Sequence, residues 1–173
     1  MAAARLSPAG RADRLGLNLV RGTLWATAQT LRPLHEPEGH SMSITIRRDG
    51  TTGMRHRVQI RHHTIVVDEQ QANGGEDAGP SPHELYDAAL GSCKALTMLW
   101  FAKRKNIPVD DIEVTIERDS SQEAKGIYKL TARVSLTGDL SEEQREALLK
   151  VAGKCPLHKL MTEVTTEIET VWR

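Results

Sequence analysis

From Ser43 onward the apolar positions of this chain change period several times, and each change marks an expected element. Ser43-Ile44-Thr45-Ile46-Arg47 alternates polar and apolar residues, Asp49-Gly50 and Gly53 supply turn residues, and Val58-Gln59-Ile60 resumes the alternation. The short β-branched run Thr64-Ile65-Val66-Val67-Asp68 follows after His62 and His63, which extends the reading to an antiparallel meander. No apolar period survives between Gln71 and Pro80, where Asn73, Gly74, Gly75, Gly79 and Pro80 indicate a loop.

That loop leads into a helix whose start is fully spelled out. Ser81 can cap, Pro82 suits the first helical position, and Glu84 stands three residues after Ser81 as a capping box requires. Leu85, Ala88, Ala89, Ser92, Cys93, Leu96, Leu99 and Trp100 then recur at spacings of three and four. This predicts one apolar face containing Cys93 and a buried or nearly buried sulfur. Lys103-Arg104-Lys105 suits a helix C-terminus, and Asn106, Pro108 and Asp110-Asp111 end the pattern.

Alternation returns in Ile112-Glu113-Val114-Thr115-Ile116 and in Leu130 to Leu136, two strands joined around Gly126. A second capping box, Ser141 to Gln144, opens a helix through Leu148, Leu149, Val151 and Ala152 that ends near Gly153. Pro156 can begin a short helix with Cys155 as its cap, which would set the sulfur against unpaired N–H groups and lower its thiol pKa. Val164 to Trp172 is rich in β-formers and is expected to close a sheet. The order is strands, long helix, strands, helix, strand, an α+β pattern.

Composition excludes more than it selects. With 173 residues, 39% hydrophobic and 27% charged, the chain suits one globular domain. Lysine plus arginine equals aspartate plus glutamate at 23 each, so no charge excess points to nucleic acid or an anionic membrane. No run of about 18 apolar residues suggests a membrane span. Residues 1–41 differ in character: five arginines against Asp13, Glu36 and Glu38 give 5 − 3 = +2, leaving 18 − 20 = −2 for residues 42–173. This stretch lacks a small-residue cleavage site. It reads as an N-terminal extension, an accessory arm or an overextended start before Ser41-Met42-Ser43, in preference to the transit peptide that an arginine-rich, acid-poor leader also resembles.

Candidate chemistry narrows to two cysteines. Cys155 with His158 has a metal-like spacing, and His56, His62 and His63 cluster, yet no second Cys/His pair with zinc spacing exists, so no metal is expected. Gly74, Gly75 and Gly79 match neither a phosphate loop nor a dinucleotide fingerprint, and no cofactor is expected. Taken alone, Cys93 and Cys155 would read as small buried hydrophobes of an intracellular protein.

Their surroundings change that reading. Gly79-Pro80-Ser81-Pro82-His83-Glu84-Leu85, Ala88-Ala89-Leu90-Gly91-Ser92-Cys93 and Lys154-Cys155-Pro156-Leu157-His158 resemble the two cysteine motifs of the OsmC/Ohr family, and the element order from residue 42 to 173 resembles it too. The resemblance implies an OsmC-like fold with antiparallel sheets packed around long central helices, in an interleaved cytoplasmic homodimer. The implied activity is antioxidant: thiol-dependent reduction of organic hydroperoxides, with Cys93 attacking, Cys155 resolving, and an external dithiol of the lipoyl kind as reductant. The alternative is a non-catalytic OsmC-like dimer binding a small apolar ligand or a partner.

One departure bears on the site. Peroxidase members of the family place a glutamate early in this helix to orient an arginine beside the reactive cysteine, but here His83 follows Pro82 and Glu84 comes one residue later. That offset turns the side chain by about 100 degrees. Glu84 is the candidate for that role, although the capping box also accounts for it. Arg47, Arg48, Arg55, Arg57 and Arg61 all fall in the front strands, and no local motif selects among them.

Overall fold

The computed structural model of the chain describes residues 43–172; the arm expected for residues 1–41 lies outside them. Three strands come first, β1 (Ile44–Arg48), β2 (His56–Ile60) and β3 (His63–Val67), joined antiparallel in that order. Ile44 pairs with Ile60, and Ile46 with Val58, which pairs in turn with Ile65. Residues directly opposite in a ladder share a face, so these isoleucines and valines gather on one side. Among the described residues no helix packs extensively against this sheet, and Ile46 stays 57% exposed.

The loop after β3 is folded onto Asp68. Its carboxylate Oδ2 accepts the N–H groups of Glu76 at 3.0 Å and Ala78 at 3.1 Å, while its own N–H donates to the Pro80 carbonyl at 3.3 Å. The chain comes so close to itself that a Cβ on Gly75 would collide with the Glu69 carbonyl, and one on Gly79 with the Val66 carbonyl. Glycine is required at both for that reason.

Helix α1 (Pro82–Lys105) runs for 24 residues. The expected capping box is present: Ser81 Oγ accepts from Glu84 N at 3.3 Å, and the Glu84 carboxylate accepts from Ser81 N at 2.7 Å. Asn106, in the left-handed region at φ 53°, ends the helix behind the three cations of its last turn. Strands β4 (Asp111–Asp119) and β5 (Lys129–Thr137) form a second antiparallel pair with Val114 opposite Val134. Helices α2 (Glu142–Ala152) and α3 (Pro156–Thr162) complete the fold. Both α2 and α3 dock on α1, and so does β4.

The core lies between these elements. Met98, Ala102, Leu148 and Ala152 are buried at its centre, flanked by Phe101, Ile112, Val114, Val134 and Leu136. Two expectations need correction here. The buried stripe of α1 is Asp87, Leu90, Gly91, Lys94, Met98 and Ala102, whereas Ala88, Ala89, Ser92, Leu96, Leu99 and Trp100 of the predicted apolar face are exposed and Cys93 is half-buried. The helix is apolar on two sides, and periodicity does not say which side its own chain covers. The second correction is at the C-terminus: Val164 to Trp172 forms no strand and pairs with neither sheet, since β-propensity depends on packing and pairing that the segment itself does not supply. No helix among the described residues is long and apolar enough to cross a membrane.

Leu148 is fully buried and joins α2 to α1 through Met98 and Ala102. Leu148→Ala is expected to lower unfolding free energy by about 2–5 kcal/mol in urea titrations. A change within about 0.5 kcal/mol, as for a surface site, would contradict this placement of the core.

Candidate active site

Cys93 sits at the middle of α1, one residue before the buried Lys94. Cys155 is the N-cap of α3, wholly buried, with its sulfur accepting the His158 N–H at 3.4 Å. Pro156 at the first position fixes that turn. The packing of α3 on α1 brings the two free thiols, 155 − 93 = 62 positions apart in sequence, close enough for Cys93 to act on the Cys155 thiol.

The cap is the one expected, but its electrical consequence is not. Burial pushes the Cys155 thiol up from its ordinary value; the His158 N–H acts in the opposite direction, the neighbouring Cys93 adds to the rise, and the Lys94 charge opposes it. Removing the sulfur from water thus outweighs a single N–H group. The predicted lowering does not occur.

Glu84 is placed elsewhere. It lines a cleft of about 470 Å³ between α1 and β4 together with Asp87, Ala88, Gly91, Ile116 and Arg118; Cys93 does not line it. Hydrogen bonds from the backbone and side chain of Ser81 hold the Glu84 carboxyl below its ordinary value, with a further contribution from Arg118. Of the front-sheet arginines, Arg48 donates to the Gly53 carbonyl, while Arg55 and Arg57 pair with Asp49.

Arg118, absent from the arginines considered in the sequence, lies 3.0 Å from Asp87, whose other oxygen accepts from Tyr128 at 2.9 Å. Burial and the Asp87 carboxylate together push the Tyr128 hydroxyl above its ordinary value. The available signal was Asp87 itself, a charge in an otherwise apolar stretch of helix. Lys94 is the same kind of signal, a charge on the inner side of the helix. Among the described residues no three His, Cys, Asp or Glu side chains gather in a metal-holding group.

Comparison with known proteins points one way. The family model described as OsmC-like protein matches residues 74–170. No curated protein sequence matches the chain. Among solved structures, the chain is similar to an OsmC-like protein from Mycoplasma pneumoniae at 17% identity and TM-score 0.59, over 73% of this chain and 90% of that one. An organic hydroperoxide resistance protein from Legionella pneumophila matches at 19% identity and TM-score 0.54, over 72% and 90%. One from Bacillus subtilis matches at 21% identity and TM-score 0.50, over 71% and 91%.

The Asp68 loop delivers the chain to α1 and hence to Cys93, and its contribution should depend on pH. Burial works against the Asp68 charge, but the N–H groups of Ala78, Glu69 and Glu76, aided by Arg55, prevail and hold the carboxyl below its ordinary 3.8. A lowered folded pKa gives stability that is present above the unfolded value and lost as pH falls through the folded one. Asp68→Asn should therefore melt below the wild type at neutral pH, with the gap closing as pH is taken below 3.8. A gap of constant size across that range would count against the carboxylate's role.

Proposed function

Since the chain belongs to the OsmC-like family, we propose that it is a thiol-dependent peroxidase acting on organic hydroperoxides, with Cys93 as the attacking residue and Cys155 as the resolving one. The observation that carries the reading is the pairing of a half-buried thiol with a wholly buried one inside a single packed site. A peroxide can reach the first sulfur, while the second is shielded from it.

The chemistry follows from that difference in exposure. The Cys93 thiolate attacks the O–O bond; a sulfur–oxygen bond forms, the alkoxide leaves and takes a proton as the alcohol, and Cys93 becomes a sulfenic acid. Cys155 then attacks that sulfur, so that a disulfide forms as hydroxide departs and is protonated to water. An external dithiol of the lipoyl kind returns both thiols, in a cytoplasm that keeps thiols reduced. Glu84 fixes the first turn of the helix that carries Cys93 and faces Arg118 in the adjacent cleft.

One equivalent of cumene hydroperoxide should remove two hydrogens from the intact mass and abolish both free thiols. In Cys155→Ser, excess peroxide should instead drive Cys93 to the sulfinic acid, because nothing intercepts the first product. The reading is falsified if the wild type keeps both thiols or gains oxygen without the bridge; a non-catalytic dimer binding a small apolar ligand would then be favoured.

The same reading includes a homodimer. Leu96, Leu99 and Trp100 form an uncovered apolar face on α1, with Trp100 63% exposed. Ile44 and Ile46 leave a second such face on the front sheet, and Ile168, Val171 and Trp172 stand open on the tail. Water-exposed apolar areas of this extent call for a partner, and a second copy offers matching surfaces under two-fold symmetry. Sedimentation at micromolar concentration should give twice the chain mass; a folded monomer there would remove this part of the proposal.

A further inference from the structure

Lys94 is the most unusual group in the described structure. It points into the interior from α1, is 7% exposed, and its Nζ donates to the Ala152 carbonyl at 3.1 Å. Ala152 is the last residue of α2, three positions before Cys155. The lysine thus meets one of the unpaired carbonyls at a helix C-terminus, where a cation is favoured. That contact uses one of the three N–H bonds of the ammonium and does not account for burial of a whole charge, which is costly unless an anion lies nearby. No carboxylate pairs with Lys94 among the described residues. A group able to become anionic on which its charge does act is the Cys155 thiol.

We infer that Lys94 is a positioning residue for the resolving step: its ammonium, anchored on the Ala152 carbonyl, faces the Cys155 sulfur and favours the thiolate that attacks Cys93 against the opposing effect of burial. The inference rests on the peroxidase reading for its purpose, but not for its measurement. In the step itself the Cys155–Cys93 bond forms while the Cys93 sulfur–oxygen bond breaks. The proton given up by Cys155 and the departing hydroxide leave together as water. Lys94 keeps its proton throughout and supplies charge only.

The groups acting on Cys155 come from two elements. Cys93 and Lys94 face it from α1, and the His158 N–H reaches it from its own α3. Of these, Lys94 alone is cationic, and its charge opposes the upward push of burial on the thiol. Without that partner the buried sulfur would hold still less thiolate and resolve the sulfenic acid more slowly.

The test titrates Cys155 without peroxide. In a Cys93→Ser background, where Cys155 is the remaining thiol, thiolate absorbance near 240 nm is followed against pH and corrected with the Cys93→Ser/Cys155→Ser protein. Adding Lys94→Met should raise the Cys155 midpoint by about one pH unit or more, a tenfold loss of thiolate at a given pH. Lys94→Gln, which retains a donor for the Ala152 carbonyl, should raise it similarly, and Lys94→Arg should return most of the loss. Far-UV circular dichroism and melting identify the variants that fold, and either neutral replacement suffices. An unchanged midpoint in a folded Met or Gln variant overturns the inference, as does an equal rise in Arg, which would make the effect one of shape rather than charge. A shifted midpoint in a protein that consumes no hydroperoxide would leave the lysine's role standing and remove the peroxidase reading instead.

Discussion

The structure depends on how α1 divides its surface. One side of this 24-residue helix is consumed by its own chain, where β4, α2 and α3 all dock. The other side carries leucines and a tryptophan that nothing in the described chain covers. On a helix apolar on both sides, burying Met98 and Ala102 inward leaves Leu96 and Trp100 outward, uncovered by the described residues. The positions of both cysteines follow from this division. Cys93 lies between the two sides, half-open, and Cys155 is sealed beneath α3 against the inner one.

The entry to α1 is as tightly specified as its packing. Asp68 gathers the preceding loop on one carboxylate oxygen, Gly75 and Gly79 admit backbone approaches closed to any side chain, and Ser81 with Glu84 closes the first turn. Each of these devices is local and made of polar groups with defined partners. Together they set where the helix begins, and therefore which residues fall on each side of it.

That locality explains how much could be read from the chain alone. Both capping boxes, the Cys155 cap and the five strands through Thr137 were legible, because each is encoded by a few adjacent residues at fixed spacing. What was not legible depends on the environment. Periodicity around Cys93 identified an apolar face but not the one that its own chain buries. The Cys155 cap suggested a more acidic thiol, yet the sign is set by burial, a property of α1 and α3 together. Asp87, Lys94 and Arg118 were passed over because a charge inside an apolar helix, or on a strand, resembles any solvated residue until its partner across the fold is known. The tail from Val164 shows the reverse failure: strong propensity, but no ladder with any described strand.

The separation of the two thiols along the chain has a thermodynamic consequence. Between Cys93 and Cys155 lie β4, β5 and α2, so a bond between the sulfurs would enclose the whole second sheet and α2 in one covalent ring. Closing a ring of some 60 residues removes chain freedom from the unfolded state worth about 4 kcal/mol in the entropic picture. The oxidised form would then resist heat better than the reduced one. By the same linkage, folding itself would pull the couple toward the disulfide, and the reductant would have to be strong enough to work against the stability of the domain it is resetting.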